Sequence, residues 1–195
     1  MSSLLAMIEK DKITFACDTA SCNIFFKDNG ERELYRNKNI VRDKVVKIGK
    51  DMIFTNGINE MTQLVTAIAR SFVGDDEHIN LNMLSIFLKN NLTNENISNL
   101  LRVNTELAKS IGVGLTVMRY HNGSFEAIQL HTAFEYDLQV VRPENGSLRV
   151  SMFGFDCDKI IENSKHIFSK CNKLSDYRSP NLFYQVYQDN YREGV

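Results

Sequence analysis

The first eighteen residues constrain this chain more than any other stretch. Leu4 to Ile8 and Ile13 to Cys17 are short apolar runs, separated by the polar Glu9-Lys10-Asp11-Lys12. Apolar runs of that length between polar residues read as buried strands, so the stretch predicts two strands folded back on each other. Such a hairpin carries the chain start to Asp18. Removal of Met1, usual ahead of a small residue, would leave Ser2 first, with a hydroxyl and a free α-amine on one residue. A hydroxyl is a poor nucleophile until a base takes its proton. An α-amine titrates at roughly 7.7–8.0, close enough to neutrality to be that base.

The remaining composition narrows the function classes. The 195 residues carry 23 Lys and Arg against 24 Asp and Glu, a formal net charge of −1. That balance offers no basic surplus for nucleic acid and no acidic solvating arm. No apolar run approaches the roughly 20 residues of a membrane helix. The opening residues are too short for a signal peptide and lack its positive start, so a cytoplasmic protein without membrane contact is expected. With 2 prolines, 10 glycines and no low-complexity run, residues 1–195 read as one domain without a linker. Cys17, Cys22, Cys157 and Cys171 form no CxxC and read as reduced thiols. His78, His121, His131 and His166 show no metal-ligand spacing, so neither metal nor cofactor is expected.

Beyond Asp18 the chain falls into blocks. Residues 21–39, with Asp28-Asn29-Gly30 as a turn signal, predict a hairpin or surface excursion. Ile40 to Ile48 and Met52 to Asn56, joined at Gly49-Lys50-Asp51 and ending at Gly57, predict a second strand pair. Met61, Leu64, Val65, Ile68, Ala69 and Phe72 recur with helical period, with Asn59 as N-cap. A shorter helix is expected over residues 82–89, and a long one from a Thr93 cap to Gly112. The period then switches to two. Strands are expected over residues 113–120, 125–130, 134–141 and 148–152, the first pair joined by Asn122-Gly123. Helices near 157–170 and 180–191 close the chain, with Ser179 capping and Pro180 at a first helical position. Strands, helices, strands and helices in blocks predict a layered α+β architecture, with two antiparallel sheets stacked face to face between helices.

These residues resemble the N-terminal-nucleophile hydrolases of the proteasome β-subunit type, including the proteasome-like proteins of bacteria and phages. The likeness rests on Ser2-Ser3-Leu4-Leu5, on Ile13-Thr14-Phe15-Ala16-Cys17-Asp18-Thr19, and on Asp43-Lys44-Val45-Val46-Lys47-Ile48 followed by a turn, a strand and Gly57. Asp18 lies sixteen positions after Ser2, the family's spacing. Val113 to Val141 is similar to the family's second strand block, and Ser151-Met152-Phe153-Gly154 to its small-residue turn. The resemblance implies a four-layer αββα sandwich and amide hydrolysis. Ser2 would be nucleophile and base, Asp18 would hold Lys44, the Lys44 ammonium would keep the amine neutral, and the Gly57 N–H would receive the oxyanion. It implies a peptide or amide substrate, a homo-oligomer without cofactor, and an ATPase unfoldase as a partner left open. Departures from the family include a longer stretch between Asp18 and Lys44, Met152 and Phe153 in the small-residue turn, and the lack of a clean counterpart to the late Asp and Ser. Asp189, Asn190 and Glu193 lie in that area. The alternative is a catalytically inactive proteasome-like scaffold or assembly protein. The aromatic stretch Phe183-Tyr184-Gln185-Val186-Tyr187 is expected to be core or oligomer contact.

Overall fold

A computed structural model describes residues 3–18, 20–26, 32–41, 43–144, 147–154 and 157–192. The N-terminal hairpin forms as the sequence predicts: β1 (Ser3–Ile8) pairs antiparallel with β2 (Ile13–Cys17), Leu5 opposite Ala16. The other edge of β1 pairs with β10 (Arg149–Gly154), which makes a three-stranded sheet with β1 in its centre. The excursion is a hairpin of its own, β3 (Ala20–Phe26) with β4 (Arg32–Val41). Ile40 and Val41 belong to β4, so the next strand starts later than their apolar character predicts. That strand, β5 (Val45–Ile48), opens a five-stranded antiparallel sheet with β6 (Asp51–Asn56), β7 (Gly114–His121), β8 (Ser124–His131) and β9 (Gln139–Val141).

Between β6 and β7 run α1 (Asn59–Ser71), α2 (Leu81–Asn91), α3 (Asn94–Leu101) and α4 (Thr105–Ile111). The single long helix expected after Thr93 is two. Thr93 does cap, its side chain accepting from the Asn96 N–H at 3.2 Å. Arg102 then turns left-handed at φ +54°, and Asn104 caps α4 by accepting from Leu107 N–H at 2.8 Å. An Asn at that point competes for backbone donors and restarts the helix. At α1 the N-cap is Ile58, with Asn59 the first helical residue. The strand expected over residues 134–141 shrinks to β9, because Thr132–Phe134 form a 3-10 turn and Glu135 and Tyr136 take positive φ. After β10 come α5 (Cys157–Phe168), a short α6 (Leu174–Tyr177) and α7 (Pro180–Arg192).

The strict alternation of β1 builds the layers. Leu4, Ala6 and Ile8 pack against Phe54, Met118 and Ala127 of the larger sheet, while Leu5 and Met7 pack against Ile160, Ile167, Leu182, Phe183 and Val186 of α5 and α7. All five β1 side chains from Leu4 to Ile8 are fully buried. On its far face the larger sheet packs Ile53, Leu115, Val117, Ile128 and Leu130 against Met61, Val65, Leu84, Leu88 and Ile97 of the first helices. The protein is therefore an α+β four-layer αββα sandwich: helices, sheet, sheet, helices. Burying a Leu or Ile side chain contributes about 1.5–3 kcal/mol, so β1, buried on both faces, is the central strand energetically as well as spatially.

Candidate active site

The antiparallel hairpin of β1 and β2 returns the chain to its start, which puts Asp18 beside Ser3. The Ser3 N–H donates to Asp18 Oδ2 at 2.7 Å, and the Asp18 N–H donates back to the Ser3 carbonyl at 3.2 Å. Asp18 Oδ1 takes an ion pair from Lys44 Nζ; the two side chains are 23% and 11% exposed. One carboxylate thus holds an ammonium with one oxygen and the amide that follows Ser2 with the other. Ser2 itself lies outside the described residues.

Lys44 immediately precedes β5. The pairing Val45 with Phe54, carried one residue outward, sets Lys44 level with Thr55, and Gly57 lies two residues farther along the same end of the sheet. Gly57 has φ +130°, and a Cβ there would lie 3.1 Å from the Gly112 carbonyl oxygen. Its backbone region is one that glycine adopts without strain. Beside it Asn56 is 5% exposed, and its Oδ1 has no hydrogen-bond partner; nor has the Oγ1 of fully buried Thr116. The alternation of Met52 and Phe54 continues to Asn56, and that of Met118 to Thr116, so both face the layer between the sheets. An unsatisfied buried oxygen costs of the order of 1–3 kcal/mol.

Behind Gly57 the packing is close. His131 covers Gly112 and Gly114, and a Cβ on Gly114 would fall 2.5 Å from its Cδ2. His131 Nδ1 accepts from the Ala133 N–H at 3.0 Å, so its proton sits on Nε2, and burial lowers its pKa.

Of the residues in the area of the late acidic support that the family resemblance implies, the described ones are engaged elsewhere. Asp189 pairs with His166 Nε2 at 3.3 Å, and Asn190 bonds Asn163 and Ser164 of α5, all contacts between α5 and α7. Glu193 lies outside the described residues. Instead α7 sends Tyr187. Its hydroxyl lies 3.2 Å from the Ser3 carbonyl, 3.0 Å from the Ala16 carbonyl and 3.2 Å from the Leu5 N–H, which donates to it. Burial pushes the phenol well above its usual range. Sequence reasoning placed Tyr187 in an aromatic stripe read as core or oligomer contact; Phe183 and Val186 are core, but the hydroxyl of Tyr187 is what sets it apart, and no spacing rule reveals a contact spanning 184 positions. Cys17 packs at the same end as a half-buried free thiol, its pKa raised by burial and then by Asp18. Among the described residues no three His, Cys, Asp or Glu side chains cluster as a metal site needs, and no helix is long and apolar enough to cross a membrane.

Among solved structures the chain is similar to Anbu, an ancestral β-subunit, from Yersinia bercovieri. The TM-score is 0.49 and the identity 11%, over 97% of this chain and 75% of that one, a likeness of fold alone. No protein-family model matches the sequence, and no curated protein is significantly similar to it.

Proposed function

We propose that this chain is an N-terminal-serine amidohydrolase or peptidase, with Ser2 as nucleophile after Met1 removal. The observation that carries the reading is the Asp18 carboxylate bridging the Lys44 ammonium and the Ser3 N–H. Asp18 holds the peptide joining residues 2 and 3, and it anchors a cation next to it. An ammonium there favours the neutral form of a neighbouring α-amine, which can then take the Ser2 hydroxyl proton as the hydroxyl attacks an amide carbonyl. The Gly57 N–H is the proposed oxyanion donor, a group typically worth about 3 kcal/mol. Assembly of several copies belongs to the same reading; Met83, Ile86 and Phe87, at helical spacing on α2, stay exposed. An ATPase unfoldase stays open as a partner.

A second reading, an inactive proteasome-like scaffold, is favoured by one observation: Asp189 and Asn190 serve the packing of α7 on α5. A β-lactone or epoxyketone probe separates the two. The enzyme reading expects intact mass to show Ser2 exposed, a covalent adduct on it, and loss of that adduct by more than about 100-fold in Ser2→Ala and Lys44→Ala. Retained Met1, an acetylated Ser2, or equal labelling of Lys44→Ala would leave the scaffold.

A further inference from the structure

The closing helix reaches the chain start through one oxygen atom. Tyr187 sits on the face of α7 whose Leu182, Phe183 and Val186 are buried against β1 and α5. Asn190, one turn on, locks α7 to α5 through Ser164 at 3.0 Å and Asn163 at 3.1 Å. The phenol is thus presented from a fixed support. Its oxygen accepts from Leu5 N–H, and its single hydrogen lies between the carbonyls of Ser3 and Ala16. Leu5 and Ala16 are cross-strand partners, so the hydroxyl ties β1 to β2 two residue pairs inside the Ser3–Asp18 contact. Ser3 is consequently held at both ends: its N–H by the Asp18 carboxylate, its carbonyl by the Asp18 N–H and the Tyr187 hydroxyl.

We infer that Tyr187 is a positioning residue for the N-terminal site, fixing the residue next to the nucleophile from the closing helix. The inference rests on the reading of Ser2 as nucleophile. A carboxylate could not do this task, since it has no hydrogen to give the Ser3 and Ala16 carbonyls. The raised phenol stays a protonated donor through neutral and mildly alkaline pH. Displacement of a reacting group by about 1 Å is enough to cost about 100-fold in rate, so a contact one residue away has leverage over Ser2.

Tyr187→Phe removes the oxygen and keeps the ring packed. The test measures inactivation of the full chain by a β-lactone, as kinact and KI, from about pH 6 to 9 around the amine's ordinary range, with Tm alongside. The expected result is a Tm lower by about 2–4 °C, kinact lower by about 10–100-fold, KI unchanged, and a moved midpoint of kinact against pH. Tyr184→Phe, at a side chain 65% exposed one turn earlier, is expected to behave as wild type. Wild-type values of kinact and of the pH midpoint in Tyr187→Phe overturn the inference and leave the Ser2 reading standing. A wild-type chain that takes no label at Ser2 overturns both. If Tyr187→Phe does not fold, replacement of Tyr187 by O-methyltyrosine keeps the ring and the oxygen that accepts from the Leu5 N–H but has no hydrogen for the Ser3 and Ala16 carbonyls. A kinact lowered by about 10-fold or more supports the inference; a wild-type kinact overturns it.

Discussion

The two ends of the sandwich handle carboxylates differently. At the end away from the chain start, three of the described ones are buried. Glu9 takes the Arg178 guanidinium, Asp51 takes His78 Nδ1 at 2.7 Å and the Ile79 N–H at 2.8 Å, and Glu126 takes Arg119 at 2.9 Å and Arg142 at 2.6 Å. Glu9, Asp51 and Glu126 are 6%, 0% and 1% exposed. That end is also where the hairpin turn meets the larger sheet, through Phe125 N–H to the Lys10 carbonyl at 3.0 Å. At the other end, Asp18 takes one cation and one amide, yet remains 23% exposed. Asn56 and Thr116, whose oxygens lack partners, and Gly57 at φ +130° lie at the same end of the larger sheet as Lys44, the partner of Asp18. The difference in burial separates a fastening from a candidate site: the far-end carboxylates are closed off from water, while Asp18 stays partly open to it.

The largest effect expected from breaking this comparison is at Glu126. Burial raises its carboxyl, but hydrogen bonds from Arg119 and Arg142 overcome that and leave its pKa below the ordinary 4.5. Glu126→Ala strands Arg119, only 15% exposed, and is expected to cost about 3–5 kcal/mol in urea unfolding. The sign of its pH dependence follows from the lowered pKa. Wild type keeps this stability above pH 4.5 and loses it as pH falls from there through the folded value, an acid arm that Glu126→Ala should lack. Lys44→Met, at a cation 11% exposed beside a carboxylate 23% exposed, is expected to cost less than Glu126→Ala, about 1–3 kcal/mol, because water reaches the Asp18 oxygen left behind, while probe labelling of Ser2 is lost. Equal stability losses in the two variants would make Asp18–Lys44 another fastening.

The next effect uses two glycines. A Cβ on Gly49, in the far-end turn at φ +58°, would meet the Glu77 carbonyl oxygen at 2.1 Å; one on Gly114 would meet the Leu130 carbonyl oxygen at 2.7 Å as well as His131. Backbone oxygens cannot swing aside, so each alanine is expected to cost about 1–3 kcal/mol as overpacking does. They should differ in reactivity. Gly114 is paired with Asn56, the residue before Gly57, so Gly114→Ala should also slow labelling, whereas Gly49→Ala should leave it at wild-type rate. Thermal melts and labelling rates on the same samples decide it.

What was legible in the sequence follows the same division. Periodicity is a local signal, and β1, β2, β7, β8 and the final helices emerged from it with the layer order they imply. Asp18 and Lys44, twenty-six positions apart, were paired only through the family resemblance, and the ion pair between them is present. The errors lie where a local signal was overruled. Asn104 broke an apolar helical repeat, and the 3-10 turn at Thr132–Phe134 consumed a strand whose composition looked adequate. Tyr187 was invisible as a contact because its oxygen meets backbone groups of β1 and β2, and backbone acceptors leave no mark on side-chain pattern. The fastenings of Glu9 and Glu126 were missed for a related reason: charged residues in turns and on strands read as exposed until tertiary partners are known.

The smallest expected effect refines the far end. Arg142 is 56% exposed where Arg119 is 15%, so its bond to Glu126 competes with water and is screened by salt. Arg142→Ala should cost less than about 1 kcal/mol, retain the acid arm below pH 4.5, and shrink further as salt is raised. The buried partner then accounts for most of the fastening, and the exposed one covers an oxygen that water can also serve. A loss in Arg142→Ala as large as that in Glu126→Ala would mean that Glu126 needs both cations at once. The two ends of the molecule would then differ in cooperativity as well as in access to solvent.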